Sequence, residues 1–234
     1  MQTLVNQQNW SVYQKLYSDT GMDHMYPNEN FVRLERWYFG GKKGSRVFDH
    51  GFGSGENLIH LARKGYKVDG VEIAQGAVKL VQKKVDARIA ELKKNISLKL
   101  LSPSSEKLPY ADNTFEHAVS LGVVCFSPSE AAITHSLNEL HRIMKPNAKL
   151  ILSTPGPKNI FYEKGKRVTP NVCCYEGREG HYRKKVKWLF YIFKDQNHIK
   201  KMFNSKFKID DIGWFDNHYC NVHGFHWVVL ARKR

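Results

Sequence analysis

No apolar run in the 234 residues approaches the ~20 needed to carry a helix across a bilayer, so no membrane-spanning helix is expected. The opening stretch MQTLVNQQNWSVYQ lacks the basic start and apolar centre of a signal peptide, and a cytoplasmic location is expected. Cysteine is scarce. Cys125, Cys173, Cys174 and Cys220 are too few for a disulfide scaffold. The grouping of Cys220, His223 and His226 lacks the second half of a zinc-ligand pattern, so no metal is expected. Internal repeats and low-complexity linkers are also missing, which points to a single domain over residues 1–234. Acidic side chains are in short supply, 22 against 37 Lys and Arg, for a formal net charge of +15. The shortfall is uneven: residues 155–234 carry 17 basic and 7 acidic side chains, against 20 and 15 in residues 1–154. Such a basic region suits an anionic substrate or a nucleic acid, and charge alone does not choose between them.

What is present is enough hydrophobic (41%) and aromatic (12%) side chain to exclude a disordered chain. Residues 8–18 and 28–39 carry apolar side chains near helical spacing. An alternation of strand and helix then begins. Strands are expected at Ser45–Asp49, Lys67–Val71, Ile96–Leu101, Glu116–Leu121 and Ala148–Ser153, with helices at Gly55–Lys64 and Gln75–Lys94. Ser127, Pro128 and Glu130 read as a capping box opening a further helix with a stripe of Ile133, Leu137, Leu140 and Met144, stopped by Pro146. This alternation predicts a parallel sheet covered on both faces. After Pro155 it breaks. Residues 156–205 form an insertion rich in Lys, Arg and aromatics, and Lys206–Trp214 and Phe225–Leu230 read as closing strands joined by residues 215–224. The expected organisation is an N-terminal helical lid (1–44), a cofactor-binding core (45–155), a substrate-side insertion (156–205) and closing strands (206–234).

The most informative segment is Val47-Phe48-Asp49-His50-Gly51-Phe52-Gly53-Ser54-Gly55. It puts an acid at a strand end, then G-x-G-x-G, then a helix. Glycines let the chain turn sharply and let a ligand approach the backbone. A nicotinamide dinucleotide site requires G-x-G-x-x-G, and the third position counted from Gly51 is Glu56. A pyrophosphate is also repelled by Asp49 and Glu56, whereas a cationic sulfonium ligand is not. Glu72, at the end of the second strand, can accept hydrogen bonds from ribose hydroxyls, a role shared with dinucleotide enzymes.

Four blocks, VFDHGFGSGENLIHLARKGYKVDGVEIA, SSEKLPYADNTFEHAVS, NELHRIMKPNAKLIL and STP, resemble the class I S-adenosylmethionine-dependent methyltransferases, in the broad group acting on small molecules. The resemblance covers about Arg46 to Pro155. It implies a Rossmann-like, doubly wound α/β sheet of seven mostly parallel strands in the order 3-2-1-4-5-7-6, the last antiparallel. It also implies that Asp49, Gly51, Gly53 and Gly55 surround the methionine part of S-adenosylmethionine. Glu72 would then hold the ribose, Ile73 the adenine, Ser104, Ser105 and Glu106 the adenine amine, and Leu121 the methionine ammonium. The chain departs from the pattern where many relatives have aspartate (here Ser104) and histidine (here Phe126).

Ligands of open α/β sheets bind outside the carboxyl ends of the strands. That topology brings Asp216, His218, Tyr219 and His223 toward the mouth, with the N-terminal helices as a lid. Tyr13 and Tyr17 are candidate lid residues against the cofactor, and Arg33 a candidate partner for its carboxylate. An oxygen acceptor needs a base, for which His218 and His223 are candidates, followed by His181 in the insertion. The expected reaction is methyl transfer to oxygen or nitrogen of a small acceptor, which the basic insertion suggests is phosphorylated or carboxylated. The alternatives are a nucleic-acid methyltransferase and a non-catalytic S-adenosylmethionine-binding protein.

Overall fold

Two helices, α1 (Gln7–Thr20) and α2 (Glu29–Leu34), precede the first strand, and a π-helical turn at Glu35–Phe39 extends the second. They are followed by β1 (Arg46–His50), α3 (Glu56–Arg63), β2 (Lys67–Glu72), α4 (Gln75–Arg88), β3 (Ile96–Leu100), β4 (Phe115–Leu121), α5 (Glu130–Ile143) and β5 (Met144–Pro155). The remainder comprises α6 (Ile160–Glu163), β6 (Lys166–Thr169), β7 (Val172–Arg178), β8 (Lys185–Tyr191), α7 (Gln196–Phe203), β9 (Phe207–Tyr219) and β10 (Val222–Lys233). This computed structural model describes residues 7–20, 22–88, 90–102, 104–127, 129–178, 185–203, 205–219 and 222–234.

Seven strands form one sheet in the order β3-β2-β1-β4-β5-β10-β9. Pairings through β5 are parallel, and β10 runs antiparallel to both β5 and β9. The parallel part is the sheet expected from the alternation, and the Rossmann-like order with its antiparallel strand is the one that the family resemblance implied. Both faces are covered, so side chains alternate between two cores rather than between core and water. Phe48, Phe115 and Leu150 pack with Leu137 and Leu140 of α5 and Phe203 of α7. Val47, Val119 and Ile151 pack on the other face with Leu58 and Leu61 of α3 and Val81 of α4. Each fully buried apolar side chain contributes about 1.5–3 kcal/mol. Across β1 and β2, Arg46 holds Asp69 bidentately at 2.7 and 2.8 Å.

Several boundaries differ from those expected. α5 is capped by Ser129, whose side chain accepts from the Ala132 N–H, so the cap falls two residues later than Ser127. Met144 is already extended, two residues before Pro146, because it opens β5. α4 ends at Arg88 and is followed by a tight 3₁₀ turn at Ala90–Asn95 that leads directly into β3. The insertion folds a second sheet, β6-β7-β8, with antiparallel pairings. Its inward face joins α1 in a third core of Leu16, Tyr17, Cys173, Trp188 and Phe190. The closing strands are longer than their apolar stretches. Residues expected to form an open connection, Asp216 and His218 among them, are paired in the β9–β10 hairpin. Backbone pairing carries polar side chains there, which an apolar pattern does not reveal.

Candidate functional site

The sheet order reverses between β1 and β4, whose neighbours β2 and β5 lie on opposite sides. The loops leaving β1 and β4 therefore diverge and leave a crevice at the strands' carboxyl ends. A cavity of about 520 Å³ lies there, lined by His50, Gly51, Gly53, Glu72, Ile73, Leu101, Leu121, Gly122 and Val123 from the core. Asn9, Tyr13, Tyr17, Met22, His24 and Tyr26 come from the N-terminal segment, and Ser153, Phe215 and His226 from the other side of the sheet.

The β1 loop bends through three glycines of positive φ. Gly53, at φ +55°, has Tyr17 Oη only 3.0 Å from where a Cβ would stand. The N-terminal helix thus closes on backbone that any side chain would block. Glu72 fixes the loop from below. Its Oε2 accepts the Gly53 N–H at 2.8 Å, and its Oε1 accepts from Ile73 at 2.6 Å and Ala74 at 3.2 Å. Burial pushes the Glu72 carboxyl up, and these three amide donors oppose the shift. A carboxylate has about four lone-pair positions, so one remains for a further donor.

Asp49 is buried behind this wall and does not line the cavity. Its Oδ2 has no hydrogen-bond partner. Burial, with the Glu72 charge beside it, pushes the Asp49 carboxyl up to about 7. Two buried carboxyls with unspent acceptor capacity suit a cationic ligand bearing hydroxyl and ammonium groups. His50 Nδ1 lies 3.1 Å from Ser120 Oγ, and burial holds the ring down at about 4, hence neutral. His226 is likewise held at about 4 by burial, and its ring stacks on Phe215 at 4.9 Å and 19°.

Of the residues singled out from sequence, the cavity lining brings together Tyr13, Tyr17, Gly51, Gly53, Glu72, Ile73 and Leu121. Gly55 instead underlies α3, against Val81. Ser104, Ser105 and Glu106 lie off the cavity: Ser104 is exposed and bonds Ser102, and the Glu106 carbonyl meets His135 Nε2 at 2.7 Å. Leu101 takes the place in the lining that was expected of that segment. Arg33 is exposed on α2, away from the cavity. His218 and His223 stack on each other at 4.8 Å in the β9–β10 hairpin, outside the lining. His223 bonds Asp216 at 2.6 Å and Glu163 at 3.1 Å. His181 lies outside the described residues. Among the described residues no group of three or more His, Cys, Asp or Glu is arranged to hold a metal, and no helix is long and apolar enough to cross a membrane.

Sequence reasoning missed Phe215 and His226 as lining residues because they are a cross-strand pair, visible only once β9 and β10 are in register. It also missed Lys84. This buried lysine holds Asp23 at 2.6 Å, Glu56 at 2.5 Å and the Ser54 carbonyl at 3.0 Å, joining α4 to the cap and to the β1 loop. In sequence it is one lysine in a lysine-rich helix. Gln14 of α1 similarly donates to the Ile73 carbonyl at 2.5 Å.

Residues 48–152 match the family model described as a methyltransferase domain. A 2-phytyl-1,4-naphtoquinone methyltransferase from Nostoc is 32% identical over 124 residues, 51% of this chain and 51% of that protein. A demethylmenaquinone methyltransferase from Bacillus cereus is 30% identical over 128 residues, 53% of this chain and 51% of that protein. The chain thus spans about half the length of these curated relatives. Among solved structures, a S-adenosylmethionine-dependent methyltransferase from Methanosarcina mazei superposes with a TM-score of 0.70 at 19% identity, over 89% of this chain and 99% of that one. A Burkholderia thailandensis 1,6-didemethyltoxoflavin-N1-methyltransferase, solved with 1,6-didemethyltoxoflavin and S-adenosylhomocysteine, gives 0.63 at 15% identity, over 96% and 87%. Residues 48–152 thus match a methyltransferase domain, and the strand order with the glycine loop after β1 gives the chain the fold of solved S-adenosylmethionine-dependent methyltransferases.

Proposed function

We propose that the protein transfers a methyl group from S-adenosylmethionine to an oxygen or nitrogen atom of a small organic acceptor, by in-line displacement, leaving S-adenosylhomocysteine. The observation that carries this reading is one cavity lined both by the glycine loop with Glu72 and by Ser153, Phe215 and His226, residues with no part in that loop. The relatives named for quinone methylation support a small organic acceptor over a polymer.

S-adenosylmethionine supplies an electrophilic methyl group on a sulfonium. The chain's own residues bind and orient. The free lone pair of Glu72 would accept from a ribose hydroxyl, Ile73 and Leu101 would give the adenine an apolar bed, and Leu121 would stand toward the methionine portion. The backbone at Gly51 and Gly53 admits the methionine portion, and the buried Asp49 charge favours its ammonium. Tyr13 and Tyr17 on α1 close the cavity and exclude water, which displacement at a methyl group needs.

Calorimetry with S-adenosylhomocysteine, and mass-spectrometric detection of its formation from S-adenosylmethionine with a panel of small acceptors, test the proposal. Saturable heat and acceptor-dependent product are expected. No heat on folded protein, or thermal stabilisation by NADH alone, would overturn it. Binding without turnover on any acceptor would leave the non-catalytic binder. Turnover on RNA with a steep salt dependence would favour the nucleic-acid reading.

A further inference from the structure

Resting on the methyltransferase reading, we propose that the acceptor is an uncharged aromatic molecule bearing a hydroxyl or N–H, seated against the Phe215–His226 pair with that donor on His226 Nε2. Phe215 and His226 are opposite one another across β9 and β10, their rings stacked at 4.9 Å and 19°, and both face the cavity. The stacked rings leave outer faces and edges against which a further ring can pack, offset or edge-on. His226 Nδ1 lies 3.4 Å from the Gly224 carbonyl. A proton there donates to that oxygen and leaves the lone pair on Nε2, so the ring presents an acceptor.

The electrostatics of the described lining disfavour the anionic acceptor that the net charge suggests. Among the described residues, the lining contains no Lys or Arg, and its carboxylates are Glu56 and Glu72. Burial keeps His50 and His226 neutral, with values of about 4. Lys84 reaches Glu56 but spends its charge on Glu56, Asp23 and the Ser54 carbonyl. An acceptor phosphate or carboxylate entering here loses its water and meets no Lys or Arg of the described lining, with His24 at the Asp23 edge as the remaining titratable cation. The basic surplus is elsewhere, at exposed positions such as Lys164, Lys166 and Arg167.

The entrance has the same character. Met25 and Tyr26 are 67% and 75% exposed, beside the lining that Tyr26 itself joins. Met25 stands at φ +63°, a left-handed conformation costly for a non-glycine residue, stabilised by its N–H donating to Asp23 Oδ1 at 3.0 Å. The chain therefore holds apolar side chains in water at the cavity edge in a strained backbone, a place where such strain accompanies function.

The test uses the protein saturated with S-adenosylhomocysteine and two probes of equal ring size, 2-naphthol and 6-hydroxy-2-naphthoate, followed by saturation-transfer NMR and calorimetry. Saturable binding of 2-naphthol is expected, with the carboxylated probe weaker by about tenfold or more. Phe215→Ala should weaken 2-naphthol about fivefold or more. His226→Phe should weaken 2-naphthol but not 2-methoxynaphthalene, which has no proton to donate. Both variants should bind S-adenosylhomocysteine as the parent does, which controls for folding. Absence of saturable 2-naphthol binding, equal or tighter binding of the carboxylate, or indifference to Phe215→Ala overturns the inference. Failure of the parent to bind S-adenosylhomocysteine overturns the methyltransferase reading instead, so the two failures are distinct.

Discussion

The Gly53 amide donates to Glu72 Oε2 across 2.8 Å, so the shape of the β1 loop and the acceptor at the end of β2 depend on one carboxylate. Replacing Glu72 by Gln substitutes two donors for one acceptor oxygen and leaves a backbone N–H of the loop facing another donor. Glu72→Gln should lower S-adenosylhomocysteine affinity about tenfold or more by calorimetry, and lower the melting temperature of the free protein by roughly 2–4 °C. Unchanged affinity would remove Glu72 from the ligand's reach.

Asp49 gives a pH dependence whose sign is opposite for stability and for binding. Its carboxyl is raised to about 7 in the folded chain from an ordinary 3.8, by burial and by Glu72. Between those values the folded state holds a proton that the unfolded state has released. Its contribution therefore stabilises the free protein as pH falls from 7 toward 4, and is lost as pH rises. Asp49→Asn should raise the melting temperature of the free protein at pH 8 by about 2–4 °C. The same change should weaken S-adenosylmethionine binding, and the parent's affinity should increase as pH rises through 7. A thermal-shift series with and without ligand reads both, and parallel pH profiles would contradict the assignment.

Gly55 and Gly122 share a positive φ, +82° and +68°, but not the same surroundings. A Cβ at Gly55 would stand 2.5 Å from Val81 Cγ2 in α4, while one at Gly122 meets nothing within 4 Å. Gly122→Ala should cost about 1 kcal/mol, the backbone term alone. Gly55→Ala should cost about 1–3 kcal/mol more, because the α3–α4 packing must shift. Urea denaturation of both variants measures the difference.

Lys84→Met leaves Asp23 and Glu56 without their shared cation. The lysine is nearly buried, yet its partners retain 30% and 16% side-chain exposure, so the loss should be about 1–3 kcal/mol rather than the full cost of a buried pair. Asp23 sits in the segment carrying Met22, His24 and Tyr26 into the cavity lining. The variant should therefore also show faster hydrogen exchange over residues 22–28, with α5 and β5 unaffected.

His218→Ala should leave turnover within about twofold, because its ring lies outside the cavity lining. A loss of a hundredfold would require the hairpin to fold inward during the reaction.

Strand–helix alternation and the glycine loop were legible in sequence because each is local: the apolar stretches of β1, β2 and β4 and the G-x-G-x-G segment need no partner to be seen. Tyr13, Tyr17, Glu72 and Leu121 followed from position relative to those landmarks, and all four line the cavity. The insertion sheet was not legible. In β6 every residue is exposed, so alternation leaves no trace, and the sheet exists through backbone pairing with β7. The polar reach of β9 past Trp214 failed for the same reason. Which histidine lines the cavity was not legible, because strand register, not residue type, decides which of His218, His223 and His226 faces inward. The net charge could not be assigned to a surface, since a sum over the chain carries no address.

The Asn9 side chain behaves as a substitute strand. It donates to the carbonyls of Phe126 and Leu189 at 3.0 and 2.9 Å and accepts the Leu189 N–H at 3.0 Å. Its docking point is thus built 180 positions downstream. On a ribosome the first helix can meet Ile73 and Gly53 early, but this grip on Leu189 waits for 180 further residues. The roof of the cavity is therefore tied to the insertion only after its contacts with the core are already available, which makes that tie a late one in synthesis.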